Sequence, residues 1–538
     1  MTDPAFAGVL VSRPDIARLV GVRRPAVTNW ERRHADFPSV VDPGADIEQF
    51  RADDVLAWLS ERVIPANARH EGEAVGTTYG DRFRAGLSGG SAEGLLRTVE
   101  QLAGPEADRL RGPMSLDRYL LWLLYLVVNQ IVEPDDGLAR AVNTIGETVR
   151  EFDPPEEVAP RRLLTFLADA LDRTPAAASA QESRAAFDHV LVLWRAAHAR
   201  EGGAFFTPPS VSRVMAGALA AVRPGAVRVY DPFGRTGELL VAYLDAVVEQ
   251  GGSALPKVWG RVPGSLERQV AQWNLRVHHG VSVRLGEGQL TPALDPLADR
   301  GAFDVLLTNP PFGRRLEPMA PPPYWTYGVA RRTEFDWLQY AVSLLAPEGR
   351  AAVLLPAGAS FNAGAAETVR AGLVEAGAVE CVIALPAGLF TLTAVKTQIW
   401  FLRPPGPKRP ADAEVLFVSG EHLGRQLTRT EWTLTDDDIA RLVGEYASWH
   451  TARSVGRPFP GTPGLSRAVP VPDIVDQRHS LDPARYVRPP GHGSAAGAPG
   501  PDETRDVLAR LSEELASLHA RAGAADAEAA RRLRRYGL

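Results

Sequence analysis

Two hydrophobic periodicities divide this chain, a helical one over its first 200 residues and an alternation of short apolar runs with helical stretches beyond them. Near the start, Ile16, Ala17 and Val20 form one apolar face, Gly21 breaks it, and Val27 and Trp30 resume the helical spacing. This pattern predicts two short helices around a turn over residues 15–33, with Pro25 where a first helical turn tolerates proline. Residues 50–59 predict a short strand running into a helix. Residues 65–91, rich in Gly, Ala and charge, read as a linker. Residues 95–198 read as helices, for example 116–128 and 161–171, broken by the Pro- and Glu-containing stretch 151–160.

From Gly202 the period changes. Strand-like runs fall at 228–231, 258–260, 281–285, 304–308, 350–355, 379–385 and 397–402, with helices between them such as 238–248, 266–277 and 334–345. About seven strands alternating with helices predict an α/β fold with a mostly parallel sheet. Residues 488–501, a succession of Gly, Ala, Ser and Pro, predict a second linker. After it, Leu508, Leu511, Leu515, Leu518, Ala522, Ala525 and Ala529 follow alternating steps of three and four, a heptad seam weakened by Gly523. A seam on a tethered helix needs a partner, and a second copy of the chain is the simplest one. The arginines at 531, 532, 534 and 535 close the chain as a basic tail.

Composition narrows this picture. A chain of 538 residues is too long for one core, and about three or four units are expected. Its longest apolar run, 119–128, is about half the length of a membrane span, and its N-terminus lacks the pattern of a secretory signal. With Cys381 as the lone cysteine, neither a disulfide framework nor a zinc-thiolate cluster is possible within the chain, and a cytoplasmic location is expected. A net charge of −6 excludes general adhesion to nucleic acid but permits a local basic face.

The chemistry concentrates where an apolar strand over 303–308 stops at Asn309-Pro310-Pro311-Phe312. Proline cannot donate to a sheet ladder, so Asn309 is left at the strand's carboxyl end, where α/β sheets bind ligands. The Asn309 side-chain oxygen and the Pro310 carbonyl can each accept one N–H of an exocyclic amine, while Phe312 offers a face for stacking. A planar ring bearing an NH₂ group suits such a corner; a strand-terminating turn with a buried aromatic is the plain alternative. A second strand, 228–231, runs into Pro232-Phe233-Gly234-Arg235-Thr236-Gly237 and a helix. That turn lets a ligand approach the backbone at a helix N-terminus.

Asn309–Phe312 resembles the Asn-Pro-Pro-Phe motif of adenine-N6 DNA methyltransferases. From Gly203 to about Leu402 the chain resembles, motif by motif and in order, the modification subunit of type I restriction systems. The segment Phe206-Thr207-Pro208, the turn beginning Asp231-Pro232, the helix 335–340 and the loop 384–390 all carry the likeness, and residues 473–487 resemble the family's C-terminal part. The resemblance implies a Rossmann-like, seven-stranded, S-adenosylmethionine-dependent methyltransferase domain. It implies that Asn309, Pro310, Pro311 and Phe312 hold a flipped adenine of double-stranded DNA, and that Phe206, Thr207, Pro208, Asp231, Pro232, Gly234, Thr236, Gly237 and Glu287 contact the cofactor, with no metal required. It also implies a separate specificity subunit as the partner of the C-terminal helix.

The start of the chain resembles a bacterial helix-turn-helix, in which Ala17, Gly21 and Val27 fall at that motif's positions. The likeness implies that Arg23, Arg24, Thr28, Asn29, Arg32 and Arg33 face DNA; the same fold also serves as an adaptor. The expected organisation is a helix-turn-helix or winged domain (1–65), a linker (66–91), a helical domain (92–200), the methyltransferase domain (201–420), an extension (421–487), a linker (488–501) and a heptad helix (502–538).

Two departures bear on activity. Arg235 stands at a family glycine position. Val262 stands where the family places an acid for the cofactor's ribose, and an apolar side chain cannot accept those bonds. An active methyltransferase and a DNA-binding or regulatory relative without turnover both fit these residues.

Overall fold

A computed structural model describes residues 10–22, 24–34, 36–41, 48–65, 77–88, 94–104, 106–133, 161–172, 180–200, 206–252, 254–281, 283–288, 300–313, 325–330, 332–390, 395–406, 413–428 and 431–487, and a few single positions besides. The chain forms two compact units, Met1–Phe206 with Gly264–Val283, and Thr207–Pro263 with Arg284–Leu538.

The first unit begins with β1 (Leu10–Ser12), α1 (Arg13–Leu19), α2 (Arg24–Arg33), β2 (Gln49–Arg51) and α3 (Ala52–Ser60). The apolar spacing seen in the sequence becomes a core in which Ile16, Val20, Val27, Phe50, Val55 and Leu59 are buried together. Gly21, at φ 70°, makes the turn between α1 and α2, a conformation that glycine adopts without steric cost. β1 and β2 pair antiparallel, and the Arg13 guanidinium bridges α1 to Glu31 of α2 at 2.7 Å. The expected linker 66–91 contains a helix, α4 (Tyr79–Ser88). Its Gly- and Arg-containing composition disguises it, yet Phe83 is fully buried in the same core and Tyr79 lies 5.3 Å from the Trp30 ring.

Further along, α5 (Leu95–Ala103), α6 (Ala107–Arg111), α7 (Leu116–Val132), α8 (Arg161–Asp172) and α9 (Ala180–Arg200) build an all-helical core. Leu123, Leu167, Phe187 and Trp194 are buried there, joined by Val270 and Trp273 of the later helix Ser265–His279. Among the described residues no helix is long and apolar enough to cross a membrane.

The second unit holds a mixed α/β sheet. In chain order its elements are α10 (Pro209–Val222), β3 (Arg228–Asp231), α11 (Glu238–Glu249), β4 (Lys257–Val262) and β5 (Arg284–Glu287), the last two joined through Ser265–His279 (α12) of the first unit. They continue with β6 (Phe303–Thr308), α13 (Glu334–Leu344), β7 (Leu345–Pro356), α14 (Ala365–Glu375), β8 (Val379–Ala384), β9 (Thr397–Leu402) and β10 (Glu414–Ser419). The short pair β11 (Arg425–Gln426) and β12 (Trp432–Thr433), then α15 (Asp436–Ser454), β13 (Ser466–Pro470) and α16 (Val471–Asp476), complete it.

The strand order is β13-β10-β8-β9-β7-β6-β3-β4-β5. Strands occur at six of the anticipated runs, and the run expected at 281–285 appears as Arg284–Glu287; among the described residues the sheet has nine strands, because β10 pairs with β8 and β13 pairs with β10 beyond the expected edge. β9 runs antiparallel between β7 and β8, and the rest of the interior is parallel. From β3 the chain winds one way through β4 and β5, then returns to place β6 on the other side. This reversal opens a crevice at the carboxyl ends of β3 and β6, the position at which doubly wound sheets take ligands.

Of the expected C-terminal helix, Ser512, Glu513, Ala516, Ser517 and Ala520 are helical and exposed. The linker 488–501 and the seam positions Leu508, Leu511, Leu515, Leu518, Ala522, Ala525 and Ala529 lie outside the described residues.

Candidate functional site

β6 is buried on both faces apart from the half-buried Asp304, and Asn309 follows it at the crevice, 5 % exposed. Its Nδ2 donates to the Thr207 hydroxyl at 3.1 Å. Among the described residues nothing donates to its Oδ1. Pro310 is buried, while Pro311 and Phe312 are half-buried. The turn closes at Gly313, at φ 69°, whose amide donates to the Glu334 carboxylate at 2.8 Å.

Asp231 ends β3 beside it. Its carboxylate accepts from the Phe233 amide at 2.9 Å, and burial holds the carboxyl well above the usual range. The following turn is buried throughout, from Pro232 to Gly237. Gly234 donates its amide to the Arg261 carbonyl at 2.7 Å, and Gly237, at φ 75°, opens α11. Arg235 adopts φ 35°, where a side chain costs about 1–2 kcal/mol, and its guanidinium lies 4.7 Å from the centre of the Phe233 ring. The glycine departure noticed in the sequence therefore falls on a left-handed position.

Three acidic residues organise the surroundings, Glu238 and Glu334 outside the motifs and Asp336 inside the helix motif 335–340 but given no role there. Glu238, the first residue of α11, accepts from the Thr207 amide at 3.0 Å and from the Thr236 amide and hydroxyl at 3.2 and 2.8 Å. Glu334 and Asp336 open α13 and are buried. Both Asp336 oxygens lack a hydrogen-bond partner among the described residues, and burial, reinforced by Glu334, pushes this carboxyl up to about 8. The sequence places Glu238 and Glu334 at helix starts and gives no sign of their roles, because the groups they bind belong to other segments of the chain.

The remaining anticipated residues are spread more widely. Thr207 is buried against Asn309, and Pro208 precedes α10. Val262, 1 % exposed at the end of β4, pairs in register with the exposed Glu287 of β5. Phe206 is the last residue of the first unit's first segment and leans on Trp194, with ring centroids 5.9 Å apart. On α2, Thr28, Arg32 and Arg33 are exposed and Asn29 accepts from Arg32 at 3.2 Å; Arg24 begins the helix and Arg23 lies outside the described residues. A cavity of about 570 Å³ in the second unit is lined by Arg332, Phe335 and Asn362 with four alanines, and by none of the anticipated site residues. Among the described residues no cluster of His, Cys, Asp and Glu has the make-up of a metal site.

A cofactor of the S-adenosylmethionine type meets this donor set unevenly. Thr207, Asp231 and the α11 N-terminus offer polar groups for an amino-acid moiety, whereas the buried Val262 offers a ribose nothing to bond.

Comparison with known proteins agrees with this architecture. The family model described as N-6 DNA Methylase matches residues 185–492, more than half of the chain. The HindI type I restriction enzyme methylase subunit of Haemophilus influenzae is 26 % identical over 341 residues, covering 61 % of this chain and 73 % of the relative. The corresponding EcoEI methylase subunit of Escherichia coli is 28 % identical over 220 residues, covering 39 % of this chain and 44 % of that one. A solved type I restriction-modification methyltransferase subunit from Streptococcus thermophilus shares the fold at a TM-score of 0.58 and 18 % identity, covering 73 % of this chain and 99 % of that structure. The chain belongs to the N-6 DNA methylase family.

Proposed function

We propose that this protein is the methyl-transferring subunit of a type I-like restriction-modification system, acting on N6 of an adenine flipped out of double-stranded DNA. The observation that carries the reading is the bond that engages the Asn309 NH₂ with Thr207, which leaves the side-chain oxygen to accept from an incoming amine. The adenine amine donates one hydrogen to Asn309 Oδ1 and the other to the Pro310 carbonyl, and Phe312 stacks on the base. Held this way, the nitrogen lone pair is directed out of the ring plane at an electrophile. As positive charge develops on N6, each of the two hydrogen bonds strengthens, worth about 1.5–3 kcal/mol apiece to a charged donor.

S-adenosylmethionine, when bound, supplies the activated methyl group. Phe206, Thr207, Pro208, Asp231, Pro232, Gly234, Thr236 and Gly237 would hold it, with Glu287 nearest the adenine edge. The face of α2 bearing Arg23, Arg24, Thr28, Asn29, Arg32 and Arg33 would contact duplex DNA, and the C-terminal helix would dock on a specificity subunit or on a second copy.

The test is transfer of labelled methyl from S-adenosylmethionine into unmodified genomic DNA, with and without a specificity subunit. Wild type incorporates label into N6-methyladenine and Asn309→Ala abolishes it; equal incorporation by the two overturns the assignment. Arg235 and Val262 favour a second reading, a DNA-binding member without turnover. That reading requires no heat of S-adenosylmethionine binding in calorimetry, and micromolar affinity removes it.

A further inference from the structure

Two X-Pro-Pro turns meet at the crevice. Thr207-Pro208-Pro209 enters α10 and Asn309-Pro310-Pro311 leaves β6, and their first residues are hydrogen-bonded to each other. A residue before proline is confined to extended backbone, so both members of the pair are held stiffly. Resting on the proposed function, we propose that Thr207 and Glu238 form a positioning relay that fixes the amide orientation of Asn309 and ties it to the cofactor turn.

Asn309 can serve an incoming amine in only one orientation. A side-chain amide has two faces of opposite character, and only the oxygen can receive a substrate NH₂; a reversed amide would set two donors against each other. The Thr207 hydroxyl, 3.1 Å from Asn309 Nδ2, favours the productive orientation by accepting from the NH₂. Thr207 must in turn be held. Its backbone amide donates to Glu238 Oε1 at 3.0 Å, while Oε2 of the same carboxylate receives the amide and hydroxyl of Thr236. One buried carboxylate therefore braces both the segment that aligns Asn309 and the turn that precedes α11. Three donated hydrogen bonds and the positive end of α11 offset the cost of burying it. Any ligand that presses on Thr236–Gly237 is thereby coupled through Glu238 and Thr207 to the residue that receives the amine.

The test uses the full chain with Thr207→Val, Thr207→Ser and Glu238→Ala. Valine keeps the shape of threonine and removes the acceptor, so kcat for methyl transfer falls about 10- to 100-fold, the range a small misplacement at a reacting centre produces. Serine restores most of the loss and melts near wild type, while valine melts a few degrees lower, because the buried Asn309 NH₂ loses its acceptor. A role for Thr207 confined to cofactor contact predicts instead a higher KM for S-adenosylmethionine with kcat retained, and that result overturns the relay. So does equal impairment by valine and serine. Hydrogen exchange supplies a readout that needs no turnover: the Thr207 amide is protected in wild type and loses protection in Glu238→Ala. Unchanged protection overturns the Glu238 link. A wild type that transfers no methyl overturns the proposed function, and the exchange comparison then still decides whether Glu238 holds Thr207.

Discussion

Single residues in this site carry effects that their types alone do not suggest. Val262 is the clearest: at the end of β4, beside the Pro232–Gly237 turn, it is buried and apolar, and it pairs in register with Glu287. If S-adenosylmethionine lies across this edge, Val262→Glu restores two acceptor oxygens and raises affinity about tenfold, equivalent to about 1.4 kcal/mol. Calorimetry reads this directly. The variant also melts earlier than wild type without ligand, because the new carboxylate is buried unpaired, and recovers with ligand; equal affinities would remove Val262 as the defect. Asp336 offers a second test at this scale. Its carboxyl titrates near 8 in the folded chain, against the ordinary value of 3.8, because it is buried near Glu334. A raised folded value means that the protonated form is the one the fold prefers. Its favourable contribution is complete below about pH 4 and is lost as pH rises through 8. Asp336→Asn mimics the protonated form, so its melting temperature approaches wild type near pH 4, exceeds it increasingly from there to about pH 8, and keeps a constant margin above that. A difference that does not change with pH contradicts this account.

At the level of elements, α13 acts as a two-point clamp on the segment that follows the Asn-Pro-Pro-Phe turn. Glu334 receives the Gly313 amide, and one turn further on Gln339 receives the Tyr327 amide and donates to the Gly328 carbonyl at 3.1 and 2.9 Å. The Tyr327 ring then packs on α14 where Gly372 lacks a side chain; a Cβ there would lie 2.5 Å from the ring. Helix propensity favours Gly372→Ala by about 1 kcal/mol, but overpacking against Tyr327 costs about 1–3 kcal/mol. The variant is therefore expected to melt below wild type, and the same substitution made in a Tyr327→Ala background to cost less when measured against that background; a more stable Gly372→Ala would show that the ring moves freely. These contacts link residues far apart in the chain, which is why the sequence did not reveal them. What it did reveal was local. Arg228–Asp231 and Phe303–Thr308 were legible as buried strands because their apolar runs end at turn-forming residues. Glu414–Ser419 carries a comparable run, yet a seven-strand expectation closes the sheet at Leu402 before reaching it. Ser466–Pro470 is a short edge strand ending in proline and has little apolar signal of its own. In the site, the motif residues were legible by type and order, whereas Glu238, Glu334 and the Thr207–Asn309 bond were not, since each is defined by a partner in another element.

For the whole molecule the governing quantity is charge. A chain of net charge −6 is repelled by DNA at long range, so binding has to rest on a few local cations. On α2, Arg32 and Arg33 are exposed in the last turn beside the exposed Thr28, whereas Arg13 nearby is committed to Glu31 and Glu48 within the fold. If α2 meets the duplex, each arginine that neutralises a phosphate releases condensed counterions and adds about 0.9 to the slope of log affinity against log salt. Replacing both Arg32 and Arg33 by alanine therefore weakens binding most at low salt and flattens that slope by about 1.8. Exposed side chains at the end of a helix contribute little to folding, so the melting temperature stays within about two degrees of wild type. Fluorescence anisotropy with a labelled duplex across a salt series separates this outcome from its alternative. An unaltered slope would mean that α2 serves as an adaptor surface, and that the cations gripping DNA lie elsewhere in the chain.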